Sequence, residues 1–241
     1  MQLQATQLSI GYGAAQVVFG DISFTAATGE MVALLGVNGI GKSTLLRTLT
    51  GLQRSVGGSV TIAGRELNSI PAQERARLIS IVLTERLLVD NILVHEFIAL
   101  GRMPYTNWLG QLTSADQQEV AHIIDVMKLA KLQHKLFNEL SDGEKQKVLI
   151  ARALCQQTPV VILDEPTAFL DFRSKKEILE LLAGVTRQLN KIVILSTHDV
   201  EAALQHCNKC WVMTEQKKFV EVPHSNSFTS EVMRLLFEEI N

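Results

Sequence analysis

The chain is poor in the features that would place it outside a reducing compartment or within a bilayer. It has 3 cysteines, an odd count that supports no disulfide framework. Cys207 and Cys210 form a lone C-x-x-C, with no second pair to complete a zinc site, and read as reduced thiols. No apolar run approaches the ~20 residues that span a bilayer. Met1-Gln2-Leu3-Gln4 lacks a basic stretch followed by an apolar one, so no secretory signal is expected. Neither sign of charge dominates: a net charge of −2 gives no case for nucleic acid as the main partner. Internal repeats, linkers and low-complexity tracts are absent. What is left is an ordinary apolar content over 241 residues, enough for one large domain or a domain with an inserted lobe.

The stretch Gly36-Val37-Asn38-Gly39-Ile40-Gly41-Lys42-Ser43-Thr44 fits G-x-x-x-x-G-K-[ST], the phosphate-binding loop pattern. Met31-Val32-Ala33-Leu34-Leu35 before it reads as a buried strand. Leu45, Leu46 and Leu49 after it fall at helical spacing, with Gly51 as a stop. The glycines let backbone N–H groups approach phosphate oxygens, and the helix N-terminus adds positive potential. In such a loop Lys42 reaches the β- and γ-phosphates and the Ser43 hydroxyl ligates Mg²⁺.

Residues 3–35 read as short strands and turns, with imperfect alternation broken by glycines. Tyr12, between Gly11 and Gly13, sits on a turn, where an exposed ring can stack on a base; alone it would be a plain surface tyrosine. Ser59–Ala63 and Leu78–Leu83 read as strands, and Pro71 opens a short helix. From about 86 to 155 the pattern is helical. One helix runs from His95 to Leu100, stopped by Gly101 and Pro104. Another opens at Thr113–Asp116, with Val120, Ile123, Ile124 and Met127 on one stripe. Ser141 and Glu144 stand at capping-box spacing and predict a third helix start.

Val160–Leu163 and Ile192–Leu195 are two further buried strands, with a helix from about Arg173 between them. Lys209–Met213 reads as another strand, and the segment from Ser230 as a short helix docked on the core. Apolar strands alternating with helices argue an α/β protein with a parallel sheet covered on both faces. Ligands of such sheets gather outside the carboxyl ends of the strands. Asp164 and Glu165 stand at one such end and His198 at another. Paired acids at a strand end would alone be a solvated turn. Beside a phosphate loop they suit Mg²⁺ binding by Asp164 and activation of water by Glu165. His198 can hydrogen-bond the γ-phosphate.

The segment Leu140-Ser141-Asp142-Gly143-Glu144 resembles the signature motif of ABC transporter ATPases, and the resemblance covers nearly the whole chain. Within it, Tyr12 matches the aromatic that stacks on adenine. Gly36–Thr44 matches Walker A, Val160–Glu165 matches Walker B, Ala168–Asp171 the D-loop and His198 the switch histidine. The resemblance implies a P-loop NTPase of ABC type with a RecA-like parallel-sheet core, an N-terminal antiparallel β-subdomain and an inserted α-helical subdomain. It divides the single domain into 1–85 with 156–241, and about 86–155, the helical part. It implies catalytic roles for Lys42, Glu165 and His198. It implies ATP contacts from Tyr12, Asn38, Gly39, Gly41, Lys42, Ser43, Thr44, Ser141, Gly143 and Asp171, and Mg²⁺ contacts from Ser43, Asp164 and Glu85. Glu85 is a departure, since the family usually carries glutamine there. It serves as the switch ligand or, if the loop register is shifted, is only a surface acid.

The further implications concern assembly. The family sandwiches ATP between the phosphate loop of one chain and the signature segment of a second, here expected to be an identical copy. With no spanning segment, the chain resembles a separate subunit peripheral to the cytoplasmic face of the inner membrane, docked on permease subunits served by a substrate-binding protein. Ala99–Tyr105 and Trp108-Leu109-Gly110 resemble importers for iron chelates, haem and vitamin B12. An ABC ATPase acting as an assembly or regulatory factor is the alternative, and a P-loop kinase is disfavoured by the signature and D-loop segments.

Overall fold

The computed structural model describes residues 1–13, 16–84, 89–225 and 227–237. Its backbone is organised by two sheets. The first is antiparallel, in the order β2 (Val17–Ala27), β1 (Gln2–Gly11), β4 (Gly57–Ile62), β5 (Arg65–Glu66). The short strands expected over residues 3–35 are two long ones of 10 and 11 residues. They tolerate broken alternation because β1 is bulged: its register shifts between Ala5 and Leu8, where Gln7 takes φ +47°.

The second sheet has six strands. Its order is β10 (Phe219–Pro223), β9 (Lys209–Met213), β3 (Met31–Gly36), β8 (Ile192–Ser196), β7 (Val160–Leu163), β6 (Ile79–Val82). All neighbours pair in parallel except β10, which runs antiparallel to β9 at the edge. The expected parallel sheet is present; β10, with its polar Glu221, was not legible from periodicity.

The three central strands read as continuous apolar runs because both faces are covered. Successive side chains alternate between two cores. Ala33, Leu35, Val161, Leu163, Val193 and Leu195 face one side, with most of the helices. Val32, Leu34, Val160, Ile162, Ile192 and Ile194 face the other, with the antiparallel sheet and α1 (Lys42–Leu49). Trp211 joins the sheets: it is buried, its ring lies 3.8 Å from that of Phe24, and its Nε1 donates to Glu221 at 3.0 Å.

Between β6 and β7 the chain forms α3 (Val94–Ala99), α4 (Ser114–Val126) and α5 (Asp142–Cys155). Gly101 and Pro104 do not end the ordered segment after α3; a 3₁₀ helix, Leu100–Tyr105, runs through both. Gly101 stands there because a Cβ would lie 2.3 Å from the Arg152 carbonyl oxygen, so this turn packs directly on α5. The predicted capping box of Ser141 with Glu144 is present, and the helix expected to open at Thr113–Asp116 starts with a second box, Thr113 with Asp116. After β7 come α6 (Phe172–Gln188), α7 (Val200–His206) and α8 (Phe228–Phe237). The earlier α2 (Ala72–Arg75) follows Pro71.

Candidate functional site

The parallel register aligns the carboxyl ends of β3, β8, β7 and β6 along one edge of the sheet. From that edge emerge the glycine loop, the Ser196–His198 segment, the Asp164–Glu165 pair and Thr84. Ser196 Oγ donates to Asp164 Oδ1 at 2.6 Å and accepts the Glu165 N–H at 2.8 Å. Thr84 Oγ1 donates to the Asp164 carbonyl at 2.9 Å. His198 Nδ1 lies 3.7 Å from Glu165 Oε2. Glu165 occupies the left-handed region at φ +47°, a conformation uncommon for a residue with a side chain.

The loop itself is shaped to accept an anion. Gly36, Gly39 and Gly41 all have positive φ, and a Cβ at Gly36 would lie 2.7 Å from the Met213 carbonyl oxygen. Helix α1 starts at Lys42 with no side-chain cap and no acidic residue in its first turn. By contrast α4, α5 and α6 are capped by Thr113, Ser141 and Asp171. An uncapped, unneutralised N-terminus leaves N–H donors directed at a ligand. Lys42 is buried, and its Nζ donates to the carbonyls of Gly36 at 2.7 Å and Val37 at 3.2 Å. Burial holds its ammonium below the usual range, while the Glu165 and Asp164 carboxylates push it back up.

The remaining sequence-predicted residues fall in two places. Asn38, Gly39 and Ser43 are exposed on the loop, while Thr44 is buried. Tyr12 joins them: the residue is 66% exposed, which leaves its side chain accessible for stacking, and its hydroxyl lies 3.3 Å from Thr44 Oγ1. Gln53, which sequence reasoning passed over, donates to the Gly11 carbonyl and ties the Tyr12 turn to the end of α1. Ser141, Gly143 and Asp171 belong to a second cluster at the N-termini of α5 and α6. Ser141 exchanges hydrogen bonds with Glu144, whose carboxyl is held low by the Ser141 N–H and hydroxyl. A Cβ at Gly143 would lie 3.0 Å from Ser174 Oγ, and Ser174 donates to Asp171 from its N–H at 3.0 Å and its hydroxyl at 2.7 Å. These bonds hold the Asp171 carboxyl below its ordinary range. Glu85 lies outside the described residues.

The residues fit a nucleotide better than a resident metal. Among the described residues no group of three or more His, Cys, Asp and Glu side chains could hold an ion. Asp164, buried, and the exposed Ser43 hydroxyl are hard oxygen donors. That set suits Mg²⁺ arriving with phosphates that complete its shell. A glycine loop on a parallel sheet, an uncapped helix N-terminus with an inward lysine and an acid pair on a nearby strand define a P-loop nucleoside triphosphatase.

The comparisons carry this further. The family model described as "ABC transporter" matches residues 19–168, and one described as "AAA domain, putative AbiEii toxin, Type IV TA system" matches the shorter stretch 133–204. An uncharacterized ABC transporter ATP-binding protein of Methanocaldococcus jannaschii is 35% identical, with 98% of this chain and 81% of that protein covered. The probable siderophore transport system ATP-binding protein YusV of Bacillus subtilis is 32% identical over 95% of this chain and 83% of its own. The phosphonates import ATP-binding protein PhnC of Stutzerimonas stutzeri is 34% identical over 86% and 79%. A solved ABC transporter described as of metal-chelate type, in an inward-facing conformation, superposes with a TM-score of 0.84 at 28% identity, covering 98% of this chain and 88% of that one. The chain belongs to the ABC transporter family. It is an ATP-binding protein and an ATPase of the kind coupled to transport.

Proposed function

We propose that this chain powers an importer for a metal chelate of the iron-siderophore, haem or cobalamin type. The observation that carries the substrate class is its likeness, over nearly its whole length, to a metal-chelate type transporter. The relative named for siderophore transport supports it. In this reading the chain lies peripherally at the cytoplasmic face of the membrane, pairs with a second copy and docks on permease subunits fed by a substrate-binding protein. Among the described residues no helix is long and apolar enough to cross a membrane. A cavity of about 360 Å³ between the core and the helical segment supports docking: it is lined by Leu52, Arg75, Ile81, Leu100 and Arg152, with Leu52 and Leu100 exposed. We assign residues 1–85 and 156–241 to the catalytic core and about 86–155 to the helical part that answers nucleotide state.

The geometry supports a division of labour among these residues. The α1 N-terminus and Lys42 hold the phosphates, Tyr12 stacks on the base, and Ser43 and Asp164 would hold Mg²⁺. The ion held there would supply neutralisation of the phosphate charge. Glu165 takes the proton of the attacking water, and His198 contacts the γ-phosphate from the neighbouring strand end. Ser141, Gly143 and Asp171 contact the nucleotide held by the partner chain. Nucleotide shifts the equilibrium between open and closed pairs only through its different affinity for the two, and a γ-phosphate touched by both chains supplies that difference.

The test is to isolate the tagged chain from gently solubilised native membranes and identify its companions by mass spectrometry. A multi-span permease at equal stoichiometry, with import of an iron chelate lost on deletion, is expected. A stable complex with soluble proteins and no permease would overturn the transport reading. A permease that moves a phosphonate or another cargo would overturn the substrate class.

A further inference from the structure

Strands β7 and β8 pair in parallel so that Leu163 lies opposite Leu195. The residues that follow, Asp164 just past β7 and Ser196 at the last position of β8, therefore stand side by side. Both are buried, Ser196 completely. A hydroxyl has one proton to donate and lone pairs to accept with. Here the proton goes to Asp164 Oδ1 and a lone pair takes the Glu165 N–H. Donation to a carboxylate in a buried setting is among the stronger hydrogen bonds a serine makes.

The second bond falls where the backbone is least at ease. Glu165 has φ +47° and precedes Pro166, which narrows its choices further. Such a conformation persists only where its surroundings over-determine it. On one side the Glu165 carbonyl accepts the Ala168 N–H at 3.0 Å. On the other, the bond from its N–H to Ser196 fixes the twist that turns the Glu165 carboxylate toward His198. The Asp164 backbone is already held, its N–H by Val82 and its carbonyl by Thr84. What Ser196 adds is the direction of the Asp164 carboxylate.

We propose that Ser196 is a positioning residue for ATP hydrolysis, whose single buried hydroxyl aligns the Asp164 carboxylate and the Glu165 backbone together. This rests on the reading of Asp164 as the Mg²⁺ carboxylate and Glu165 as the acceptor of the water proton. A serine that merely satisfies a buried acid would affect stability alone; a positioning serine also separates kcat from KM.

The experiment compares Ser196→Ala and Ser196→Thr in the full chain and in the Glu165→Gln background. Turnover per folded molecule is measured, together with the Mg²⁺ midpoint of fluorescent ATP-analogue binding. Ser196→Ala is expected to lower kcat by about tenfold or more with KM for ATP within about threefold of the parent. The Mg²⁺ midpoint rises, and Ser196→Thr, which keeps the hydroxyl, restores most of both. In the Glu165→Gln background the alanine variant costs less of the residual turnover than in the parent, since the carboxylate aimed by one of its two bonds is gone, while the Mg²⁺ midpoint still rises through Asp164. Parental kcat in Ser196→Ala would overturn the proposal, as would an equal loss in both backgrounds with an unmoved Mg²⁺ midpoint. Parental turnover in Glu165→Gln alone would overturn the role of Glu165 instead, and the Mg²⁺ midpoint would then decide Ser196 through Asp164.

Discussion

His198 Nδ1 stands 3.7 Å from Glu165 Oε2, across the ends of two adjacent parallel strands. The imidazole is more than half exposed and the carboxylate three-quarters covered, so the pair opens toward the ligand edge of the sheet. The acid is the more covered of the two and the histidine the more open, an asymmetry that agrees with the base and γ-phosphate contact proposed for them. Replacing Glu165 by glutamine keeps the shape and removes the basic oxygen. Glu165→Gln should bind ATP like the parent and hydrolyse it about a hundredfold more slowly or worse. Single-turnover hydrolysis beside an equilibrium binding curve checks both halves; turnover close to the parent would remove Glu165 from the base role.

Lys42 is buried between its own loop carbonyls and the two acids. A triphosphate offers it stronger acceptors than those carbonyls. Lys42→Ala should weaken ATP binding by at least about thirtyfold. Calorimetric titration with ATP measures this directly, and unchanged affinity would contradict the assignment of the loop.

Tyr12 presents an open ring whose hydroxyl meets Thr44 beside the loop. If the ring is the base platform, its face matters and its hydroxyl matters less. Tyr12→Ala should weaken nucleotide binding by about tenfold, with Tyr12→Phe near the parent. Equal loss in both would assign the contribution to the Thr44 contact.

Arg102 is a buried strut of the helical segment. It donates at 2.8 Å to Asp116 Oδ1, the Cys155 carbonyl and Gln157 Oε1, and its guanidinium lies 4.1 Å from the Tyr105 ring centre. Arg102→Met leaves Asp116 buried without its cation and should cost about 3–5 kcal/mol, read as a fall in the urea midpoint.

Asp116 also gives a pH signature. Its carboxyl is held below the ordinary range, first by the Thr113 hydroxyl and N–H and then by Arg102. A depressed folded value means the stabilisation is complete above the unfolded carboxyl's value of about 3.9. It is lost as pH falls below that, through the folded value. Asp116→Asn should therefore lower stability at pH 7 and lose less on acidification than the parent. Parallel acid limbs in urea titrations at stepped pH would contradict this.

Features written in local spacing were legible in the sequence. The glycine loop, the acid pair after four apolar residues, the helix start at Thr113 and the capping box at Ser141 depend on neighbours within one strand or one helical turn. Bonds across the fold were not. Periodicity tells which face of a strand is covered, not what lies beside its end, so Ser196 read only as the polar end of a strand. Gln53 and Arg102 are polar residues whose partners lie 42 and 53 positions away, at Gly11 and Cys155. Helix α7 is a single short element capped by Asp199, and β10 an edge strand; neither is long enough to show a period.

In the proposed mechanism two copies of this chain close on ATP, each supplying Ser141 and Gly143 to the other's nucleotide. The solution mass of the Glu165→Gln chain, measured by light scattering with and without MgATP, tests it most directly. One chain is expected without nucleotide and two with it, with a return to one when Ser141→Arg is added. A single chain at saturating MgATP, with nucleotide demonstrably bound, would contradict it.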